Sequence, residues 1–162
     1  AITDIATMVR GARNAVGEKI QGIIDENKRL QKDLEKLKNK LANAAGSDLM
    51  SSLRTVNDIS VLATVVDGAD SKSLRGVADQ VRSKIQSGVF FLAAIEGEKA
   101  ALIAGVTSDL TDRIKAGDLL KFVTAQVDGK GGGRADMAQG AAGDVTNLAA
   151  ALESVYGWVE KA

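Results

Sequence analysis

Between Val16 and Leu41 the chain repeats at alternating intervals of four and three residues, through Val16, Ile20, Ile23, Asn27, Leu30, Leu34, Leu37 and Leu41. A repeat averaging three and a half residues is satisfied by a helix whose apolar seam lies against another helix, as in a coiled coil. Val16, Ile23, Leu30 and Leu37 take the d positions, and Ile20, Asn27, Leu34 and Leu41 the a positions. A buried Asn at a pairs best with its own copy, so Asn27 points to a parallel homodimer. In that arrangement Asp33 faces Lys38, but Lys19 faces Ile24 and Glu26 faces Gln31, so flanking charge does not fix orientation. Ile24, at an e position, widens the apolar face enough to seat a second helix. The alternative is an ordinary amphipathic helix lying on its own globular neighbour.

Gly11 and the Arg13-Asn14 step interrupt the pattern upstream, which predicts a short first helix near residues 2–10 and a long one starting near Asn14, its N-cap. Ala44-Ala45-Gly46-Ser47-Asp48 then ends the long helix. The expected division is a helical dimerisation part, residues 1–46, and a globular part, residues 47–162. Within the latter, 49–56 and 59–66 read as strands around Asn57-Asp58, a two-residue hairpin signal. Residues 70–87 read as a helix capped by Asp70 or Ser71, with Leu74, Val77, Val81 and Ile85 on one face. Residues 89–95 and 100–106 form a second hairpin around Glu96-Gly97-Glu98-Lys99. Helical pieces follow at 109–114 and 118–127, separated by Ala116-Gly117. Residues 146–161 close the chain as a helix that turns Leu148, Leu152, Val155 and Val159 to the sheet, with Trp158 in the core. The predicted class is α+β: a long coiled-coil helix with a short preceding helix, then a small globular domain of mixed sheet and helices.

Composition narrows the chemistry. The 162 residues are 45% hydrophobic, enough for a real core. Their 21 basic side chains balance 21 acidic ones, so any contact with nucleic acid rests on local patches. Residues 1–46 carry nine basic and six acidic side chains, whereas residues 47–128 carry nine and eleven. Aromatic residues make up only 3%, too few for a platform on which nucleobases stack. With no Cys and no His, disulfides, thiolate or imidazole metal sites and Ser/His or Cys/His catalysis are excluded. No catalytic residue, metal ligand or cofactor site is expected. Apolar runs such as 59–66 and 89–95 are too short to span a bilayer, and no cleavable signal is visible. The opening Ala-Ile-Thr-Asp fits a piece excised from a longer protein, though processing would leave the same start.

Residues 128–143 read DGKGGGRADMAQGAAG, with six Gly in sixteen positions. Glycines let successive N–H groups converge and let a ligand approach the backbone, so this segment beside Lys130 and Arg134 has the makings of a phosphate cradle. Arg134 can grip a phosphate with two donors where Lys130 offers a point charge. A P-loop is rejected, because Gly131 stands where that motif needs a hydroxyl residue after its Lys. The purely structural alternative is a tight glycine turn between a helix and a strand.

GKGGGR followed by DMAQ resembles the glycine-rich signature near the C-terminus of alanyl-tRNA synthetases, GGKGGGRPDMAQAGG. Before it, GVTSDLTDRIKAGDLLK (residues 105–121) is similar to a stretch of the same family, and the Trp158-Val159 pair also fits. The resemblance covers the whole chain in order. Ala135 takes the usual Pro position, and Gly140-Ala141-Ala142-Gly143 replaces the AGG ending. Loss of Pro leaves a free loop more flexible, at an entropic cost of about 0.5–1 kcal/mol on binding.

The resemblance implies a DHHA1-type fold, shared with accessory domains of DHH-family phosphoesterases and nucleases. It further implies a cytoplasmic, non-catalytic module that follows the editing domain and dimerises through its helical part. Its partner would be tRNA, held at the outer corner so that the aminoacylation and editing domains of the parent ligase share one molecule. On this reading Lys130, Gly131, Gly132, Gly133 and Arg134 meet the RNA backbone, with Arg113, Lys115 and Lys121 as neighbours. Arg113 and Lys115 have a simpler alternative, being solvated or capping a helix end. Lys28, Arg29, Lys32 and Lys36 read as a solvated helix face. Two other functions stay open: an oligomerisation module with a structural glycine loop, and a phosphoesterase accessory domain, against which the missing His and the lack of a tight acidic cluster count.

Overall fold

The structure, a computed structural model, describes residues 15–162 apart from the side chains at 42, 43 and 45–47. The predicted first helix and the Asn14 cap lie outside the described residues. The chain divides into two compact units, residues 1–37 and 38–162. Helix α1, Val16–Leu49, carries the heptad seam and continues through Gly46 to the buried Leu49, three residues beyond the division drawn from the sequence. The apolar grip on Leu49 prolongs it: Leu49 packs in a cluster with Leu62, Leu74 and Phe90, joined by Met50 and Leu53. Residues 50–52 form one 3₁₀ turn, so of the weak first strand only Arg54–Val56 pair in the sheet, preceded by the extended Leu53.

Six strands form one sheet in the order β1-β2-β3-β4-β6-β5. Strands β1 (Arg54–Val56) and β2 (Ile59–Val65) make the expected hairpin. Its two-residue turn places Asn57 and Asp58 at φ 48° and 64°, the left-handed region that Asn and Asp tolerate best. β2 runs parallel to β3 (Gly88–Glu96), the crossover being helix α2 (Ser71–Lys84). β3 and β4 (Lys99–Val106) form the second hairpin, with Gly97 at φ 68° in its turn. Helices α3 (Ala116–Thr124) and α4 (Leu148–Lys161) complete the unit.

The central strands are buried on both faces. Leu62, Phe90, Leu92 and Ile103 point to α2, while Val61, Val89, Phe91, Leu102 and Ala104 point to α3 and α4. Alternation along each strand thus feeds two clusters, which explains the near-continuous apolar run VFFLAAI in β3. Leu148, Leu152, Val155 and Val159 of α4 are buried as expected. Trp158 sits at the rim of the core, half-buried, its ring centroid 6.1 Å from that of Phe122.

Where a helical piece was expected at 109–114, residues 108–113 form consecutive turns. Lys115 adopts an extended backbone (φ −109°, ψ 127°), so the turns cannot run on into α3, which begins at the Ala116-Gly117 pair expected to separate two helices.

Helix α2 starts at a capping box. Asp70 Oδ1 accepts from the N–H groups of Ser73 (2.8 Å) and Lys72 (3.1 Å), and the Asp70 N–H donates to Ser73 Oγ (2.8 Å). Lys38 Nζ donates to the other carboxylate oxygen at 2.9 Å. Lys38 is the residue that a parallel coiled coil would set against Asp33. The Ser73 N–H above all, then Lys38 and the Ser73 hydroxyl, hold the Asp70 carboxyl well below the usual carboxylate range. Asp70→Ala is expected to lower stability by about 1 kcal/mol in urea unfolding near neutral pH. Because the folded-state pKa is depressed, this contribution is complete above the ordinary Asp value, about 3.9, and is lost as pH falls below it. The gap between variant and wild type should therefore close in acid.

Candidate nucleic-acid interface

The glycine-rich segment is neither a loop nor a lone turn. It is a strand pair, β5 (Lys130–Gly133) and β6 (Met137–Ala142), with β6 paired to β4 and β5 forming the sheet edge. Most of its glycines have a structural reason. A Cβ on Gly131 would lie 2.5 Å from Gly140 Cα and 2.8 Å from Leu120 Cδ2, and one on Gly133 would lie 2.4 Å from Ala138 Cα. On Gly140 it would come within 2.6 Å of the Lys130 carbonyl oxygen. The two strands approach each other, and α3, more closely than any side chain permits. Gly132 is the exception, since a Cβ there meets nothing within 4 Å.

The connecting turn is pinned although Pro is absent. Arg134 N–H donates to the Met137 carbonyl (2.8 Å), the Ala135 carbonyl accepts from Ala116 N–H at the start of α3 (2.8 Å), and the Asp136 carbonyl accepts from Val106 N–H (2.9 Å). Ala135 therefore stands in a turn already held to two neighbouring elements.

Two clefts flank this turn. The larger, about 450 Å³, lies between α2 and the hairpin. Arg75, Asp79 and Arg82 line one side, and Arg134, Asp136 and Gln139 the other, above Gly132 and Gly133. Arg82 Nη1 donates to Asp136 Oδ2 at 3.5 Å, a partly exposed pair that holds one guanidinium at the mouth. The smaller cleft, about 120 Å³, is lined by Lys115 and Lys121 of the α3 region together with Gly133 and Arg134. Arg134 is common to both.

Of the residues picked out from the sequence, the structure gathers Gly132, Gly133, Arg134, Lys115 and Lys121 around the turn. Lys130, at the far end of β5, lines neither cleft, and Gly131 packs against Gly140 and Leu120. Arg113 also lies outside both, donating to the Ala162 carbonyl at 3.2 Å. Sequence reading missed Arg75, Asp79 and Arg82. They recur at intervals of four and three on the polar face of α2, a pattern that reads as a solvated helix face until the hairpin is seen alongside.

A family model described as the DHHA1 domain matches residues 58–161. The chain belongs to the DHHA1 family. This DHHA1 chain is 45% identical to an alanine–tRNA ligase of Pseudoalteromonas translucida (strain TAC 125) and 46% identical to one of Nitrosospira multiformis, over 157 residues in each case. Those matches cover 97% of this chain but only 18% of the ligases, of which it corresponds to the C-terminal part. Among solved structures, the DHHA1 chain is similar to the C-Ala domain of Aquifex aeolicus alanyl-tRNA synthetase, with 27% identity and a TM-score of 0.63 over 67% of this chain and 97% of that one. RecJ of Thermus thermophilus shares the fold at 16% identity and a TM-score of 0.56, over 88% of this chain and 20% of RecJ. The family resemblance read from GKGGGRADMAQ is thereby borne out.

The neighbouring glycines of β5 differ in what they tolerate. Gly131→Ala is expected to destabilise the DHHA1 domain by about 1–3 kcal/mol in urea unfolding, as overpacking does. Gly132→Ala should leave the unfolding midpoint unchanged, because its Cβ projects into open space.

Proposed function

We propose that this chain is a non-catalytic tRNA-binding and dimerisation module of a cytoplasmic alanyl-tRNA synthetase, whose catalytic and editing domains lie elsewhere in the parent ligase. The observation that carries the reading is the cationic rim of the hairpin turn: Arg75, Arg82 and Arg134 around one cleft and Lys115, Lys121 and Arg134 around the other. On a chain of zero net charge, five cations converging on one glycine turn form a local patch suited to an RNA backbone. Lys130 extends it along the sheet edge. Held at the outer corner of tRNA, such a module would keep one substrate within reach of both the aminoacylation and the editing sites of the parent.

Binding of this chain to tRNA at two salt concentrations tests the reading. Affinity should fall as salt rises. Lys130→Ala with Arg134→Ala should weaken binding and reduce the salt slope by about one for each phosphate no longer neutralised. Equal binding by variant and wild type would leave the hairpin with a structural role only.

Dimerisation is supported by the seam. Ile20, Ile23, Leu30, Leu34, Leu37 and Leu41 are each between 48% and 64% exposed, a stripe of large apolar side chains along one helix. Burying each would stabilise an assembly by roughly 1.5–3 kcal/mol before association costs. A second copy is the partner proposed, because Asn27 at an a position favours its own image. In sedimentation the wild type should run as a dimer and Leu30→Glu with Leu34→Glu as a monomer. The monomer should still bind tRNA, more weakly through lost avidity. Complete loss of RNA binding with the dimer would favour a pure oligomerisation module.

A further inference from the structure

The chain contains two Asp-Gly steps, Asp67-Gly68 and Asp128-Gly129, and no Asn-Gly step. Asp followed by Gly is the pairing in which a main-chain nitrogen most easily reaches the preceding carboxyl carbon, because glycine puts no Cβ in the way and lets the backbone turn. By sequence the two steps are equivalent. The structure treats them differently.

Asp128-Gly129 is held by its neighbours. Gly129 N–H donates to the Thr124 carbonyl at 2.8 Å, and the Val127 carbonyl accepts from the N–H groups of Gly143 (3.1 Å) and Asp144 (3.0 Å). A Cβ on Gly129 would lie 2.5 Å from the Ala141 carbonyl oxygen, and one on Gly143 would lie 2.7 Å from that of Asp128. Attack by the Gly129 nitrogen would have to break its hydrogen bond and shift a closely packed backbone.

Asp67-Gly68 is the opposite case. Both residues are exposed, in the turn that leads from β2 to α2. Gly68 has φ 73°, and a Cβ built on it meets nothing within 4 Å. Among the described residues, neither the Gly68 N–H nor the Asp67 carboxylate has a hydrogen-bond or ion-pair partner. The flanks, by contrast, are fixed. Val66 N–H donates to the Ala93 carbonyl at 2.7 Å, and Ala69 is buried in the cluster under α2, next to the Asp70 cap.

We infer that Asp67 is a site of spontaneous backbone isomerisation, in which the Gly68 nitrogen closes a succinimide ring and water reopens it as isoaspartate. The nitrogen bonds to Asp67 Cγ, and its proton leaves with the carboxyl hydroxyl as one water. A second water then adds to the former main-chain carbonyl carbon and the bond from that carbon to nitrogen breaks, which routes the chain through Cβ and Cγ. Water is lost once and regained once, and nothing is oxidised or reduced. The product has one more main-chain atom between Val66 and Ala69 and a free α-carboxylate. With Val66 tied to β3 and Ala69 in the core, the extra atom falls on the turn that sets the Asp70 capping box, so the first turn of α2 loosens.

Ageing the full chain at neutral pH, folded and in urea, tests this by peptide mapping with electron-transfer fragmentation, which separates isoaspartate from aspartate. In the folded protein isoaspartate should form at Asp67 at least ~5-fold faster than at Asp128, the factor that one backbone hydrogen bond is worth. In urea the two steps should convert alike. An isoaspartyl methyltransferase with S-adenosylmethionine should label aged wild type strongly and the aged Asp67→Glu variant only to the level left by Asp128, because the larger ring closes more slowly. Aged wild type should also exchange the amide hydrogens of Lys72 and Ser73 faster than fresh protein. Equal conversion at the two steps in the folded protein overturns the inference, and so does faster conversion at Asp128. An Asp67 step that stays intact when folded but converts in urea overturns it too. Unchanged amide exchange in a sample shown to carry isoaspartate overturns the link to the α2 cap.

Discussion

The pairing of β3 with β4, eight residue pairs long, is the interaction around which residues 38–162 are organised. Both strands lie in the interior of the sheet, and apolar side chains on both of their faces force helices onto each side. α2 covers one face and α3 with α4 the other, so neither cluster can form until this hairpin is in register. A slip of one residue would exchange the two sets of side chains between the clusters. β4 then presents its free edge to β6, and β6 carries β5.

The cationic clefts inherit their geometry from that chain of pairings. The hairpin turn is fixed from three directions, by its own closing bond, by Val106 of β4 and by Ala116 at the start of α3. Arg134 thereby stands between two helices that belong to opposite faces of the sheet. The turn is held by backbone hydrogen bonds to its neighbours, and cations are brought to it by α2 and by the segment leading into α3.

The sequence was legible where a pattern acts locally. The heptads of α1, the Asn57-Asp58 turn, the Asp70 cap and the Glu96–Lys99 turn all appear where their chemistry places them, because each depends on residues within one turn of the chain. The glycine segment was legible as special, and its resemblance to alanyl-tRNA synthetases identified the family. Its conformation was misread, since glycine's low strand preference argues for a loop when neighbours are ignored. Residues 109–114 were misread for a similar reason: their helical spacing is local, whereas the extended backbone at Lys115 that stops it belongs to the docking of Ile114 and Ala116 into the core.

The sequence by itself determined the long seam, the hairpins, the capped helix and the family, because periodicity, turn residues and a specific string of glycines survive without knowledge of what lies alongside. Tertiary structure alone decided which glycines are obligatory and which cations meet. Gly131 and Gly132 are indistinguishable in the string KGGGR, and only the distance to Gly140 on the neighbouring strand separates them. Arg75 and Arg134 are far apart along the chain. They meet because α2 covers one face of the sheet beside the edge where the hairpin turns, an arrangement set by burial of apolar side chains elsewhere in the domain.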